Sequence, residues 1–232
     1  MEAIILAGGN ATPLGRAAGD RPKALVPIAG RPLAAYQVGL LAGAGVDRVV
    51  VSCAAGTGSL FEEGLSWLGA EIVPVEEAEP LGRGGGLRLG AAALNDGDDV
   101  YALNGDELVS VDLLALLERH RTTGAAATIT VTQPPSSFGV VELGANDMVT
   151  GFDEAASIPY WVSCGVYVLG PEAIERLPER GDHEATTFPA LAAAGRLGAF
   201  RYEGVWITVN TPKDLQRAEE YVTAHPEWLA TG

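Results

Sequence analysis

At 232 residues, 47% of them hydrophobic and 19% charged, the chain has the size and composition of a globular α/β domain with a substantial core. Its formal net charge of −15 excludes a non-specific binder of nucleic acid or of an anionic membrane surface. A small phosphorylated ligand stays open, because backbone N–H groups and a few cations can hold phosphate locally, and an acidic surface favours a metal–nucleotide complex over a bare anion.

The first predicted element is EAIILA, a short apolar run closed by Gly8 and Gly9, the pattern of a buried parallel strand entering a loop. After a stretch containing Pro22, Pro27 and Pro32, a helix is expected over about residues 33–44. DRVVVSC then reads as a strand, LFEEGLSWLG as a helix, EIVPV as a strand, residues 84–94 as a helix and DVYALN as a fourth strand. Ser110 is the candidate N-cap of a helix over VDLLALLERH. The second half changes character: AAATITVT, FGVVEL, MVTGFDE and WVSCGVYVLG are strand-like pieces separated by turn residues, expected to be antiparallel. Helices at PEAIERL, around residues 188–194 and from about residues 211–212 close the chain. The alternation predicts βαβ units around a mostly parallel sheet. No Pro-, Ser- or charge-rich linker and no repeat divides it, so residues 1–232 are expected to form a single domain.

Cys53 and Cys164 fall in apolar strand-like runs and read as buried free thiols, since two cysteines make no disulfide framework. His120, His183 and His225 lie in polar contexts and are expected at the surface, which leaves zinc without ligands. The N-terminus lacks the charged start and long apolar stretch of a signal peptide, and no run reaches membrane-spanning length, so a cytoplasmic location is expected.

A more specific signal comes from ILAGGNATPL followed by RPKALVPIAGRPL, and then, in order, LGRGGGL, ALNGDEL, FGVVEL, GFDE, SCGVYV and VWITVNTPKDL. Together these resemble the sugar-1-phosphate nucleotidyltransferases, the NDP-sugar pyrophosphorylases that include mannose-1-phosphate guanylyltransferases. That family's pattern runs LAGGxGTRL…PKPLVPVxGxP, LGTAGAL, NGD, YGVVE, GFxEKP, NAGIYV and WxDIGTPEDY. The resemblance covers almost the whole chain. It implies a Rossmann-like three-layer α/β domain with a mixed, mostly parallel sheet, the nucleotide-diphospho-sugar transferase fold. It also implies Mg²⁺-dependent formation of an NDP-sugar and pyrophosphate from an NTP and a sugar 1-phosphate.

The resemblance assigns roles to particular residues. Leu6, Ala7, Gly8 and Gly9, at the end of the first strand, would bring backbone close to the nucleotide. Gly82 and the glycines at 84–86 match the loop that approaches the base. Lys23, between Pro22 and Ala24, would be a fixed cation for a phosphate; Asp106, after Asn104 and Gly105, would hold Mg²⁺ against the phosphates. These two are the catalytic candidates. Gly139, Glu154 and Gly165 fall where the family contacts the sugar. The attacking phosphate oxygen is already ionised, so the reaction needs positioning and charge neutralisation rather than a general base.

Several positions depart from the family pattern. Pro13 replaces its arginine, Ala11 a loop glycine, Ala155 a lysine, Ser163 an asparagine, Thr208 the second metal aspartate and Asn210 a glycine. Each lost charge-assisted contact costs about 1.5–3 kcal/mol. Arg16, counted with the nucleotide-binding residues, or Arg83 would stand in for a missing cation. Glu107, the extended-chain neighbour of Asp106, is expected to point away from it. Two readings follow: an active enzyme with a modified site, or a catalytically weakened or inactive homologue that binds a nucleotide or NDP-sugar or serves as a partner subunit. A third, a transferase of the molybdenum-cofactor or phosphocholine kind, shares the LAGG start but not the FGVVE and WITVNTP segments. Base and sugar stay open, with guanine or thymine and a hexose or heptose phosphate within the family's breadth. An exposed Trp228 region is a candidate homo-oligomer interface.

Overall fold

The computed structural model describes residues 1–9, 14, 19, 21–95, 97–136 and 138–230. Strand β1 (Glu2–Ala7) is apolar from Ala3 onward and buried on both faces: Ala3, Ile5 and Ala7 enter one core cluster and Ile4 the opposite one. A short ribbon of β2 (Pro27–Ile28) and β3 (Arg31–Pro32) leads into α1 (Leu33–Gly43), which returns the chain to β4 (Arg48–Ala54). Helix α2 (Gly58–Leu65) then connects to β5 (Glu71–Glu77), and α3 (Gly82–Ala91) to β6 (Val100–Asn104). Strand β7 (Glu107–Val109) and α4 (Leu113–Thr123) precede β8 (Ala127–Thr132), the hairpin β9 (Val140–Leu143) and β10 (Val149–Asp153), and β11 (Val162–Leu169). The described chain ends with α5 (Pro171–Glu175), α6 (Thr187–Ala193), β12 (Leu197–Arg201), β13 (Trp206–Thr208), α7 (Pro212–Ala224) and α8 (Glu227–Ala230).

The central sheet has the order β12-β8-β11-β6-β1-β4-β5, and only β11 runs against its neighbours. Phe61, Leu65, Leu116 and the apolar side chains of α1 cover one face, while Leu87, Ala173, Phe188 and Leu191 cover the other. This is the three-layer α/β architecture expected from the alternating pattern. A third cluster, built on Leu33, Tyr36, Ile207, Leu215 and Val222, docks α7 and β13 beside the start of α1. The chain steps outward from β1 to β4 and β5, then returns to place β6 on the other side of β1. The carboxyl ends of β1 and β6 therefore border the switch-point crevice where open α/β sheets bind ligands.

Several expectations are corrected. Helix α4 is capped by Asp112, whose carboxylate accepts from Ala115 N at 2.9 Å, because Val111 turns into the core first; Ser110 instead bonds the Tyr202 hydroxyl at 2.9 Å. His120 and His183 are buried rather than at the surface. His120 Nδ1 pairs with Thr128 Oγ1 at 2.9 Å, and His183 stands edge-on to Tyr167 and Phe188. Trp228 is half-buried against Tyr36 and Tyr221, so it staples the C-terminal segment to this chain. As expected, β8 is antiparallel to β11 and β9 to β10, the latter two forming a separate hairpin, while β8 runs parallel to β12. Strands β7, β12 and β13 escape the sequence pattern because three to five residues carry too little periodicity. Cys53 and Cys164 are buried and free, as expected, and burial pushes the Cys164 thiol up to about 12.

Candidate functional site

The turn after β6 is drawn against the end of β1 by Gly105, whose N–H donates to the Leu6 carbonyl at 2.8 Å. A Cβ at this position would run into that same carbonyl, so glycine alone permits the approach. From α1, the buried Gln37 spans the turn, its Nε2 donating to the carbonyls of Asn104 at 2.7 Å and Glu107 at 2.8 Å. Val209 N donates to the Asp106 carbonyl at 2.9 Å and fastens the segment after β13 to the same turn. Asn210 then precedes Thr211, which caps α7 in a reciprocal capping box with Asp214.

These contacts place Lys23 between two oxygen acceptors. Its Nζ donates to Asp106 Oδ2 at 2.7 Å and to Asn210 Oδ1. Its backbone is held by a short 3₁₀ turn, Lys23–Leu25, whose Ala24 and Leu25 are buried, and Lys23 N donates to the Gly9 carbonyl at 3.3 Å. The glycine turn, the lysine and the strand-ending aspartate thus converge.

A cavity of about 520 Å³ opens over them, and Leu6, Ala7, Gly8, Gly9, Lys23, Gly82 and Asp106 all line it. Gly82 has φ 78°, and a Cβ there would stand 2.7 Å from the Gly181 carbonyl oxygen, so a glycine is required where α3 packs on that turn. The glycines at 84–86 do not form a loop; they are buried in the first turns of α3. Gly165, at φ 69°, lies directly behind the site, where a Cβ would meet Asn104 Nδ2 at 2.6 Å and Glu107 Oε1 at 3.0 Å. Gly139 and Glu154 do not line the cavity; they flank the β9–β10 hairpin and are exposed. Arg16, Ala11 and Pro13 lie outside the described residues. Arg83 does reach the cavity, but its guanidinium is engaged by Asp182 and, at 2.6 Å, by Glu184, so it does not supply an uncommitted cation.

Two carboxylates complete the electrostatics. Glu107 does not leave the site: it lines the cavity at 6% exposure, and Trp206 Nε1 donates to its Oε2 at 2.7 Å. Burial, reinforced by the negative charge of Asp106, pushes its carboxyl up to about 8, so it is mostly protonated at neutral pH. Thr208 sits directly across the β7–β13 ladder from it. Glu77, at the end of β5, accepts from Ser52 Oγ at 3.1 Å and from Leu81 N at 2.9 Å, and lies beside Gly8 on the cavity wall. The sequence reading missed Glu77 and Gln37 and noted Asn210 only as a replaced glycine. Their signals were faint: an acid closing a strand at the ligand edge, and one amide within the apolar run LAAYQVGLLAG.

Among the described residues, no three His, Cys, Asp or Glu side chains converge to hold a metal unaided. Hard oxygens are nevertheless concentrated here: the Asp106 carboxylate, Asn210 Oδ1 and the buried Asn104 Oδ1, which has no hydrogen-bond partner. That set fits Mg²⁺, which takes one or two protein ligands and completes its octahedron with phosphate oxygens and water.

A model of the nucleotidyl transferase family matches residues 2–225. The chain belongs to that family. It is 32% identical over 246 residues to the catalytic subunit beta of mannose-1-phosphate guanylyltransferase from Dictyostelium discoideum, a match covering 100% of this chain and 68% of that protein. Mannose-1-phosphate guanylyltransferase of Mycobacterium tuberculosis is 32% identical over 228 residues, covering 94% of this chain and 63% of the relative. The crystal structure of HddC from Yersinia pseudotuberculosis, complexed with GMP-PN, shares the fold with a TM-score of 0.72 over 95% of this chain and 98% of its own, at 22% identity. Within this nucleotidyl transferase, the crevice at β1 and β6 is the candidate active site.

Proposed function

We propose that residues 1–232 act as one nucleotidyltransferase domain that joins an NTP to a sugar 1-phosphate, releasing pyrophosphate, with guanine as the base and a mannose-type hexose phosphate as the acceptor. The observation that carries this reading is the Lys23–Asp106 pair at 2.7 Å, set against the Gly8–Gly9 turn in one cavity. An oxygen of the sugar phosphate forms a bond to the α-phosphorus while the bond from that phosphorus to the bridging oxygen breaks, and pyrophosphate carries away the electron pair. Lys23, still an ammonium, donates hydrogen bonds to phosphate oxygens in place of Asp106 and Asn210, offsetting charge as it builds. Mg²⁺ held by Asp106 together with triphosphate oxygens would supply further charge neutralisation. Glu107, kept protonated, adds no second negative charge beside Asp106.

Glu77 supports the choice of guanine. Its carboxylate offers only acceptors to the cavity, matching the adjacent N1–H and N2–H donors of guanine. Uracil and thymine flank their single N–H with two carbonyls, which a carboxylate repels. The guanylyltransferase names of the relatives point the same way. Gly165 and the segments carrying Gly139 and Glu154 would border the acceptor sugar. Two buried free thiols suit a reducing cytoplasm. A second reading, a nucleotide-binding homologue without turnover, draws on Thr208, which lies across the ladder from Glu107 and supplies no carboxylate to join Asp106.

The test is pyrophosphate release with each of four NTPs against mannose, glucose and a heptose 1-phosphate in the presence of Mg²⁺. GTP with mannose 1-phosphate is expected to turn over, and Asp106→Asn to lower kcat/KM by about a hundred-fold or more. Thermal stabilisation by GTP without pyrophosphate from any pair would establish the binding reading instead.

A further inference from the structure

The β9–β10 hairpin lies outside the central sheet and is bare on both faces. Of its strand residues only Gly151 is even partly buried, although an isolated two-stranded hairpin is only marginally stable in water. Register and alternation sort its side chains by face. Val141 stands opposite Phe152 and Leu143 opposite Val149, and residues directly across a ladder share a face. A shift in register between Val149 and Gly151 keeps Val149 in phase with Phe152. Val140, Glu142 and Asp153 take the reverse face, where a Cβ on Gly151 would meet the Glu142 carboxylate at 2.9 Å.

One face is therefore entirely apolar. Val141, Leu143, Val149 and Phe152 are 46–64% exposed, and the Phe152 ring rests on Gly139, where a side chain would collide with it. Phe138, before the hairpin, and Met148, at its turn, are more exposed still. Together these six residues present about 700 Å² of surface, more than the largest apolar patch of a typical monomer and close to the ~800 Å² that each partner contributes to a standard protein–protein interface.

Charge and symmetry decide what covers this face. No Lys or Arg occurs between residues 122 and 175, while Glu142, Asp147, Asp153 and Glu154 all belong to this segment. Anionic lipid or nucleic acid would be repelled. A two-fold axis through the apolar face brings the same four side chains against their own copies and leaves Glu142 and Asp153 on the outside of the join, in water. Two hairpins packed in this way make a two-layer sandwich in which each covers the other. We propose that the chain forms a two-fold dimer with a second copy of itself through the apolar face of β9–β10. Trp228, by contrast, is occupied within its own chain by Tyr36 and Tyr221. The inference is independent of which base or sugar the catalytic cavity takes.

Sedimentation equilibrium of the full chain, from about 2 to 200 µM, reads the association. A dimer with Kd at about the micromolar level is expected for an interface of this size. Because each copy carries a net charge of −15, raising NaCl from about 0.05 to 0.5 M should tighten it severalfold by screening the repulsion. Leu143→Asp and Phe152→Asp should each weaken the dimer about ten-fold or more, whereas Leu114→Asp, at an exposed position of α4, should leave it within about two-fold. Should the hairpin variants fail to fold, Leu143→Cys gives an independent reading: a flexible bismaleimide should join two copies through this thiol, since the native Cys53 and Cys164 are buried. The proposal is overturned if the chain stays monomeric at about 200 µM, if neither folded hairpin variant shifts the equilibrium, if Leu114→Asp disrupts the dimer as fully as they do, if salt dissociates it, or if Leu143→Cys yields no cross-linked dimer.

Discussion

Replacing Glu107 by glutamine should change how stability depends on pH. The folded protein holds this carboxyl at about 8 against an ordinary 4.5, because the side chain is buried next to Asp106. The raised folded value means the native state keeps a proton that the unfolded chain has already released. The associated stability is present below pH 4.5 and is lost as pH rises towards 8. At about 1.4 kcal/mol per pKa unit, the loss between pH 5 and pH 8 comes to about 3 kcal/mol. Glutamine is neutral throughout and still presents an oxygen to Trp206 Nε1, so Glu107→Gln should escape that loss. Urea denaturation of both proteins at pH 5, 6, 7 and 8 measures the gap between them. The variant should gain steadily on the parent with rising pH. His120 and His183, whose burial lowers their pKa values, destabilise the fold at acid pH in both proteins and cancel in the comparison. Parallel curves, differing by less than about 1 kcal/mol in slope over the range, would refute a protonated Glu107 in the folded state.

Other substitutions probe the remaining parts of the site. Lys23→Met should weaken GTP–Mg²⁺ binding by about ten- to a hundred-fold in calorimetry, since it removes the cation that, among the described residues, pairs with Asp106, while keeping its stem. Glu77→Gln should lower the ratio of kcat/KM for GTP over UTP by about ten-fold or more, because an amide can donate to a pyrimidine carbonyl where a carboxylate cannot. Gly82→Ala should cost about 1–3 kcal/mol, from a left-handed backbone and a Cβ 2.7 Å from the Gly181 carbonyl, and lower Tm by a few degrees.

The sequence by itself determined the architecture, because runs such as AIILA and VVVSC are apolar at nearly every position and must be buried on both faces, which demands helices on each side. The family resemblance of ILAGGNATPL, RPKAL and ALNGDEL, rather than any local pattern, singled out Gly8, Gly9, Lys23 and Asp106, and the fold brings them to one cavity. Only the tertiary structure decided what depends on segments far apart in the chain. Glu107 was expected to turn away by strand alternation, but Trp206, 99 residues later, brings it an N–H donor and keeps it at the site. Arg83 looked like an uncommitted cation until Asp182 and Glu184 closed on it, and Ser110 looked like a cap until Tyr202 claimed its hydroxyl. His183 sits in the polar string GDHEAT yet is fully buried between Tyr167 and Phe188, which no local pattern encodes. Burial and partner choice are properties of packed surfaces, and packing joins residues whose sequence separation carries no signal.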